Sequence, residues 1–428
     1  MAEFSRVAVS KLVAAGEAEL KTGPFGTQLK ASDYTEEGTP VINVRNIGFG
    51  GIKADKLEYI SPSTRNRLSS HILQRGDIVF GRKGAVERHV FIREEQDGWF
   101  QGSDCLRLRF TSPRVEPLFA SYFFLTPEHQ RWMMNQCSHG ATMASLNQEI
   151  LERIELPLPP LLVQRQIASI LSAYDELIEN NQRRIKILEE MARSLYREWF
   201  VHFRFPGHDK VKMVPSRLGS IPYGWEACSI DDICELVTDG SHSSPKSVEE
   251  GLPMASSKDM HEWGLNLDTC RHISRQDFDQ LVRNGCKPKK NDVLITKDGA
   301  NYLKHIFVVR EELELVLLSS IAILRPNKRI NPHLLTAILS DPDNKGRLKN
   351  YVTGAAIPRI ILSDFKLFKI VLPSQEVQDA WAKIAEPITQ LCWTLIDQIT
   401  NLRRTRDLLL PRLLPGELSV KGIPVLES

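Results

Sequence analysis

A chain of 428 residues with 42% hydrophobic and 25% charged residues is long enough for two or three domains and has the balance of a folded soluble protein. Its formal net charge of +2 excludes bulk charge as an argument for nucleic-acid binding, so any basic surface must come from local clustering. Seven cysteines without a CxxC pair fit a reduced, cytoplasmic protein, Cys270, His272 and Cys286 match no common zinc spacing, and no run of ~18 apolar residues marks a membrane span.

In chain order, residues 1–157 read as an α+β domain. Gly23-Pro24 and Phe25-Gly26 mark a turn, and Glu36 to Pro40 feeds a short strand from Val41 to Val44. A strand from Asp77 to Phe80 ends in the Gly81-Arg82-Lys83-Gly84 loop, and further strands are expected at residues 90–92 and 106–110. Residues 117–134 read as helical with an interruption at Pro127, followed by a polar loop at 138–145 and a closing strand at 154–157.

Residues 158–203 read as one long helix, without Gly or Pro after its first turn. Its apolar seam includes Leu171, Tyr174, Ile178, Ile185 and Leu188, with Asn181 as a polar interruption. Forty helical residues make a rod of roughly 60 Å. Residues 204–224, rich in Pro and Gly, read as a linker, and 225–373 as a second domain. A second long helix occupies 374–418, with a tail at 419–428. Adding 217 to the first seam gives Ile388, Leu391 and Leu395, places Gln398 opposite Asn181 in the alignment, and continues to Leu402. The two helices are expected to pair with each other, and Pro387 to kink the second or mark its start.

The two halves repeat. Residues 249–253 answer 36–40, Asn291 to Gly299 answers Gly76 to Gly84, Pro332 and Pro342 answer Pro117 and Pro127, and Gly354 answers Gly140, all at offsets of 213 to 215. The expected fold is therefore α+β, with two similar domains, two long helices and a pseudo-two-fold internal repeat.

No phosphate-binding GxxxxGK[ST], dinucleotide fingerprint, GxSxG or HExxH occurs. LPLPP lacks the Asn or Asp and the aromatic residue of an amino-methyltransferase pocket. Glu189-Glu190 and Glu249-Glu250 read as solvated surface. The chain is expected to be non-catalytic and to hold no metal or cofactor.

The helical segments carry a family resemblance. LPLPPLLVQRQIASIL with DELIENNQRRIKILEEMARSLYREWF, RDLLLPRLLPGEL near the end, and Asp239-Gly240-Ser241-His242 with Pro245 resemble the specificity subunit of type I restriction-modification enzymes. The first half departs from the last motif, with Gly23-Pro24-Phe25-Gly26 in its place. The resemblance implies two target-recognition domains, each reading half of a split site in double-stranded DNA. It implies helices that pair as an antiparallel coiled coil, set the gap between halves and dock methyltransferase (modification) subunits. S-adenosylmethionine, ATP and Mg are then expected on partner subunits, with ATP on a restriction/translocase subunit. The loop residues nominated for DNA contact are Thr27, Arg82, Lys83, Arg88, His139 and Thr142 in the first domain. Those in the second are Ser241, His242, Lys297, Asn301, Lys304 and Arg359, all expected in exposed turns. His89 and His305 extend the two basic clusters, and Lys287, Lys289 and Lys290 precede the second. The competing readings are a coiled-coil scaffold and a stand-alone DNA-binding regulator.

Overall fold

The computed structural model describes residues 4–24, 26–138, 144–299, 301–354 and 358–424. The chain divides into two compact units: residues 1–180 with 398–428 (unit 1), and residues 181–397 (unit 2). Among the described residues no helix is long and apolar enough to cross a membrane.

Unit 1 closes on itself at its ends. The strand Arg6–Ala8 pairs antiparallel with Glu155–Pro157, Val7 facing Leu156. A five-stranded sheet runs in the order Ala18–Thr22, Cys105–Phe110, Ile78–Gly81, His89–Phe91, Phe49–Gly50. Successive strand residues point to opposite faces, and here both faces are covered. Ile78, Phe80, Leu106 and Leu108 join one core with Phe119 and Phe124, while Val79 and Cys105 join another with Ile42 and Val90. Pro127 does not kink a helix. It is the first residue of a new one, Pro127–Cys137, after Pro117–Phe124. The missing proline N–H costs nothing there, and Thr126 Oγ accepts from the His129 N–H at 3.3 Å.

Unit 2 repeats this plan. Glu226–Ser229 pairs with Lys369–Leu372. The main sheet runs Cys234–Asp239, Ile321–Pro326, Val293–Thr296, Ile306–Val308. Helices Pro332–Ser340 and Pro342–Leu348 again meet at a capping residue, Asp341. The repeat extends to hydrogen bonds. Buried Gln164 accepts from the Glu116 N–H and donates to the carbonyls of Arg114 and Pro159. Buried Gln378 accepts from the Asn331 N–H and donates to those of Arg329 and Pro373. The Asp77–Arg109 pair recurs as Asp292–Arg325, with Asp77 and Asp292 both at 0% exposure.

The long helices run from Leu161 to Tyr196, followed by a wider π-helical turn at Arg197–Val201, and from Gln375 to Leu413. Pro387 lies inside the second helix with its ring exposed, so it marks no start. Within each unit the helices pack antiparallel. In unit 1, Ile167 and Leu171 share a core with Leu410, Leu413 and Leu414, and Asp175 pairs with Arg406. In unit 2, Tyr196, Trp199 and Phe200 share one with Trp381, Ala382 and Ala385.

The seam of the first helix is as expected: Leu171, Ile178, Asn181 and Ile185 are buried, Tyr174 and Leu188 half-buried. The seam of the second is shifted. Its buried line is Trp381, Ala385, Cys392, Leu395 and Ile399, with Leu402 half-buried. Ile388 is half-buried, Leu391 is 38% exposed and Gln398 is exposed. The glutamine pair fixes the true offset at 214 (378 − 164), so Asn181 corresponds to buried Leu395 and the polar interruption is not repeated. Apolarity alone misled because a slip of three residues nearly preserves a three-four spacing. Residues 204–224 are not a bare linker either. Met213–Ser216 and Gly219–Pro222 form a hairpin, and Phe205 and Ile221 are buried with Trp225 in the unit 2 core.

Candidate nucleic-acid interface

The loops nominated for DNA contact gather at one end of the main sheet in each unit, on equivalent backbone. Gly23 follows the strand Ala18–Thr22, and its N–H donates to the Cys105 carbonyl at 2.9 Å; Gly240 follows Cys234–Asp239 and donates to Ile321 at 3.1 Å. Both positions need glycine, because a Cβ would come within 2.0 Å of the Gly102 oxygen or 2.2 Å of the Leu317 oxygen. Thr22-Gly23-Pro24 is therefore the first unit's version of Asp239-Gly240-Ser241, although the letters differ. Arg82 and Lys297 match likewise. Arg82 N–H donates to Asp104 and its carbonyl accepts from Leu146; Lys297 N–H donates to Ser320 and its carbonyl accepts from Ile360. Gly84 and Gly299 turn the chain at φ +75° and +81°.

The side chains on this shared scaffold differ. In unit 1, Thr27 and Lys83 are exposed, and Lys83 lies 3.3 Å from Asp104. Arg82 is half-buried, and its Nε is buried without a hydrogen-bond acceptor among the described residues. Arg88 bonds Glu87 at 3.3 Å and lies over the Phe49 ring at 5.1 Å. His89 does not belong to the basic cluster. It is fully buried against Ser121 (2.8 Å), and burial pushes its pKa down to about 3. His139 and Thr142 lie outside the described residues.

In unit 2, Lys297 is not in an exposed turn. It is 3% exposed and ion-paired with Asp239, whose other oxygen bonds His242 at 3.2 Å. Asp298 next to it pairs with Arg359 at 3.4 Å. A lysine at the root of the loop, flanked by strands, pays a desolvation cost that only a carboxylate at hydrogen-bond distance offsets. Ser241 is also buried, its Oγ donating to the Ser243 carbonyl at 2.9 Å. His242, Lys304 and Arg359 are exposed and Asn301 half-exposed. Burial and Lys304 hold His305 below its usual pKa. Lys287 pairs with Glu314 at 2.9 Å.

Sequence reasoning passed over Asp104, which lies 3.3 Å from Lys83, and Thr22, which stands where unit 2 has Asp239. Lone acids and hydroxyls give no signal until the strands bring them beside a cation. Glu189 was misread: it is half-buried and accepts from the Trp263 indole at 2.7 Å, and burial raises its pKa. The described residues hold no group of three or more His, Cys, Asp and Glu placed to bind a metal. Cys270 and Cys286 are buried in different clusters, the Cys270 thiol pushed up to about 12 by burial.

Two similar α+β units, each with its glycine-rooted loops and its share of two long helices, define a duplicated recognition module. The chain belongs to the type I restriction modification DNA specificity domain family, whose profile matches twice, over residues 22–190 and 222–402. It is thus a type I restriction-modification specificity subunit with both copies of the domain. It is 25% identical to the type I restriction enzyme MjaIX specificity subunit of Methanocaldococcus jannaschii, over 71% of this chain and 69% of that one. It is 24% identical to the EcoBI specificity subunit of Escherichia coli, over 92% and 84%. Its fold is similar to a type I S subunit from M. genitalium, with a TM-score of 0.61 and 17% identity over 96% of both chains.

Proposed function

We propose that each unit reads one half of a split DNA site through its loop cluster, and that the long helices set the number of base pairs between the halves. The observation that carries this reading is the repeat itself. One chain with two equivalent loop scaffolds presents double-stranded DNA with two reading heads, as a symmetric dimer does. Exposed Thr27, Lys83, His242, Lys304 and Arg359 supply phosphate and base contacts. The chain performs no bond chemistry itself. Methyltransferase subunits dock on the helices and bring S-adenosylmethionine, a restriction/translocase subunit brings ATP hydrolysis with Mg, and the assembly works in the cytoplasm.

The test is methylation mapping with the partner subunits present. Exchanging residues 1–150 for another recognition domain is expected to change one half of the methylated site only. Inserting one heptad between Arg184 and Ile185 adds about 10 Å of helix and is expected to lengthen the spacer by roughly three base pairs with both halves unchanged. An active heptad variant that keeps the original spacer refutes the ruler. Sequence-specific binding without any methyltransferase partner favours a stand-alone regulator, and no DNA binding favours a scaffold.

A further inference from the structure

Unit 2 contains a cavity of about 200 Å³ that its helices share with the Pro332–Ser340 helix and the Glu262-Trp263 turn. Its walls include Tyr196, Trp263, Phe307, Trp381 and Trp393. The repeat explains why it is open. In unit 1, Asp175 accepts from the Tyr122 hydroxyl at 2.7 Å and pairs with Arg406, so this triad joins the helix Pro117–Phe124 to both long helices. The counterpart of Tyr122 is Ala337 (337 − 122 = 215), that of Asp175 is Thr389 (389 − 175 = 214), and that of Arg406 is Ala192 (406 − 192 = 214). All three small residues line the cavity. A phenol, a carboxylate and a guanidinium have given way to two methyl groups and a threonine, whose hydroxyl is already bonded to the Ala385 carbonyl at 3.1 Å.

A second observation concerns Trp381. It lines the cavity, is 2% exposed, and its indole Nε1 has no hydrogen-bond acceptor among the described residues. Its counterpart in unit 1 is Ile167 (381 − 167 = 214), which has no donor to satisfy. Buried donors in native proteins are paired with few exceptions. The Trp263 indole, by contrast, is satisfied by Glu189 at 2.7 Å. Aromatic walls, vacated ring volume and one orphaned donor are the complement of a small aromatic molecule carrying an acceptor oxygen. Apolar cavities left by a truncated side chain are known to take ring-sized ligands.

We propose that this cavity is a binding site for a small phenol, its ring against the tryptophan walls and its hydroxyl oxygen accepting from the Trp381 indole. The site is independent of the DNA-reading function.

The test uses the full chain, with p-cresol and toluene as probes, followed by calorimetry and intrinsic tryptophan fluorescence. One molecule of p-cresol is expected per chain, bound about tenfold more tightly than toluene. Restoring the unit 1 contents (Ala337→Tyr, Thr389→Asp and Ala192→Arg together) is expected to weaken p-cresol at least tenfold. Circular dichroism checks the fold; if the triple variant does not fold, Ala337→Phe serves as the filling variant with the same expectation. Trp381→Phe is expected to erase the preference for p-cresol over toluene. No p-cresol binding, equal binding of toluene to the unmodified chain, undiminished binding by a folded filling variant, or a preference that survives Trp381→Phe each overturns the proposal.

Discussion

At the root of the second loop in each unit stands a cation, Arg82 in one and Lys297 in the other, held by the same backbone bonds. Across the strand Arg82 has Thr22, which accepts from Gln148 at 3.1 Å, whereas Lys297 has Asp239 as its ion-pair partner. A carboxylate thus stands beside the cation in unit 2, where unit 1 has a hydroxyl at the equivalent position. The duplicated backbone builds the same loop twice, and the side chains give it two electrostatic characters. The proposed reading of a split site by one chain accords with that separation between scaffold and chemistry.

The difference between the units should be largest in acid. Burial depresses His89 to about 3 and His129 to about 4, where unit 2 has Ile306 and Asn344 at the equivalent places. The unfolded chain takes up these protons near pH 6.5 and the folded unit resists them, so stability is lost as pH falls from about 6.5 toward 4. The loss is about 1.4 kcal/mol per pH unit for each histidine. Burial also lowers His261, His305 and His333 in unit 2, though none of them is as deeply buried as His89. Hydrogen exchange on the intact chain at pH 7, 6 and 5 should show strands 78–91 losing protection before strands 293–308. Protection lost first in unit 2 would contradict the burial of the histidine pair.

Next comes the loop root. Lys297→Ala strands Asp239, which is 11% exposed, and should cost about 3–5 kcal/mol of unit 2 stability. Lys83→Ala should change stability by no more than about 0.5 kcal/mol, while reducing the salt dependence of DNA binding by about one counterion. Denaturant melts and a salt titration separate the two. A Lys297→Ala chain as stable as its parent would show that the pair is not buried.

The glutamine clamps offer a sharper comparison, because here the units should agree. Gln164→Ala and Gln378→Ala each remove three hydrogen bonds from buried backbone at a helix start and should each cost about 1–3 kcal/mol. A large difference between them in the same melt would break the local equivalence. The smallest effect is in the seam. Asn181→Leu should raise stability by about 1 kcal/mol with a looser choice of register, whereas Gln398→Leu should change it by less than about 0.5 kcal/mol. Equal effects would restore the offset of 217.

Much of this was legible in the residues. Strands, the proline interruption in each helical stretch, and the repeat follow from local pattern, since alternation and helical spacing answer to burial. The register of the distal helix did not follow, because Trp381, Ala385 and Cys392 make a seam without the aliphatic signature that Ile384 and Leu391 imitate from the exposed side. Of the nominated residues, Thr27, Lys83, His242, Lys304 and Arg359 are exposed, as their loop composition suggests. Lys297 was misjudged because its partner lies 58 residues away in sequence, and only strand pairing brings the two together.

Unit 1 is discontinuous, and this bears on how the chain is made. Its core takes Leu410, Leu413, Leu414 and Val420 from the far end of the sequence, and Phe4 packs against Gly416, where a Cβ would come within 2.7 Å of its ring. Unit 2 is one uninterrupted stretch. Synthesis proceeds at roughly 5–20 residues per second. The domain translated first therefore waits roughly ten to fifty seconds for the segment that completes its core, while the domain translated second is already whole. A chain that stops short of residue 398 contains all of unit 2 and lacks the segment that completes the core of unit 1.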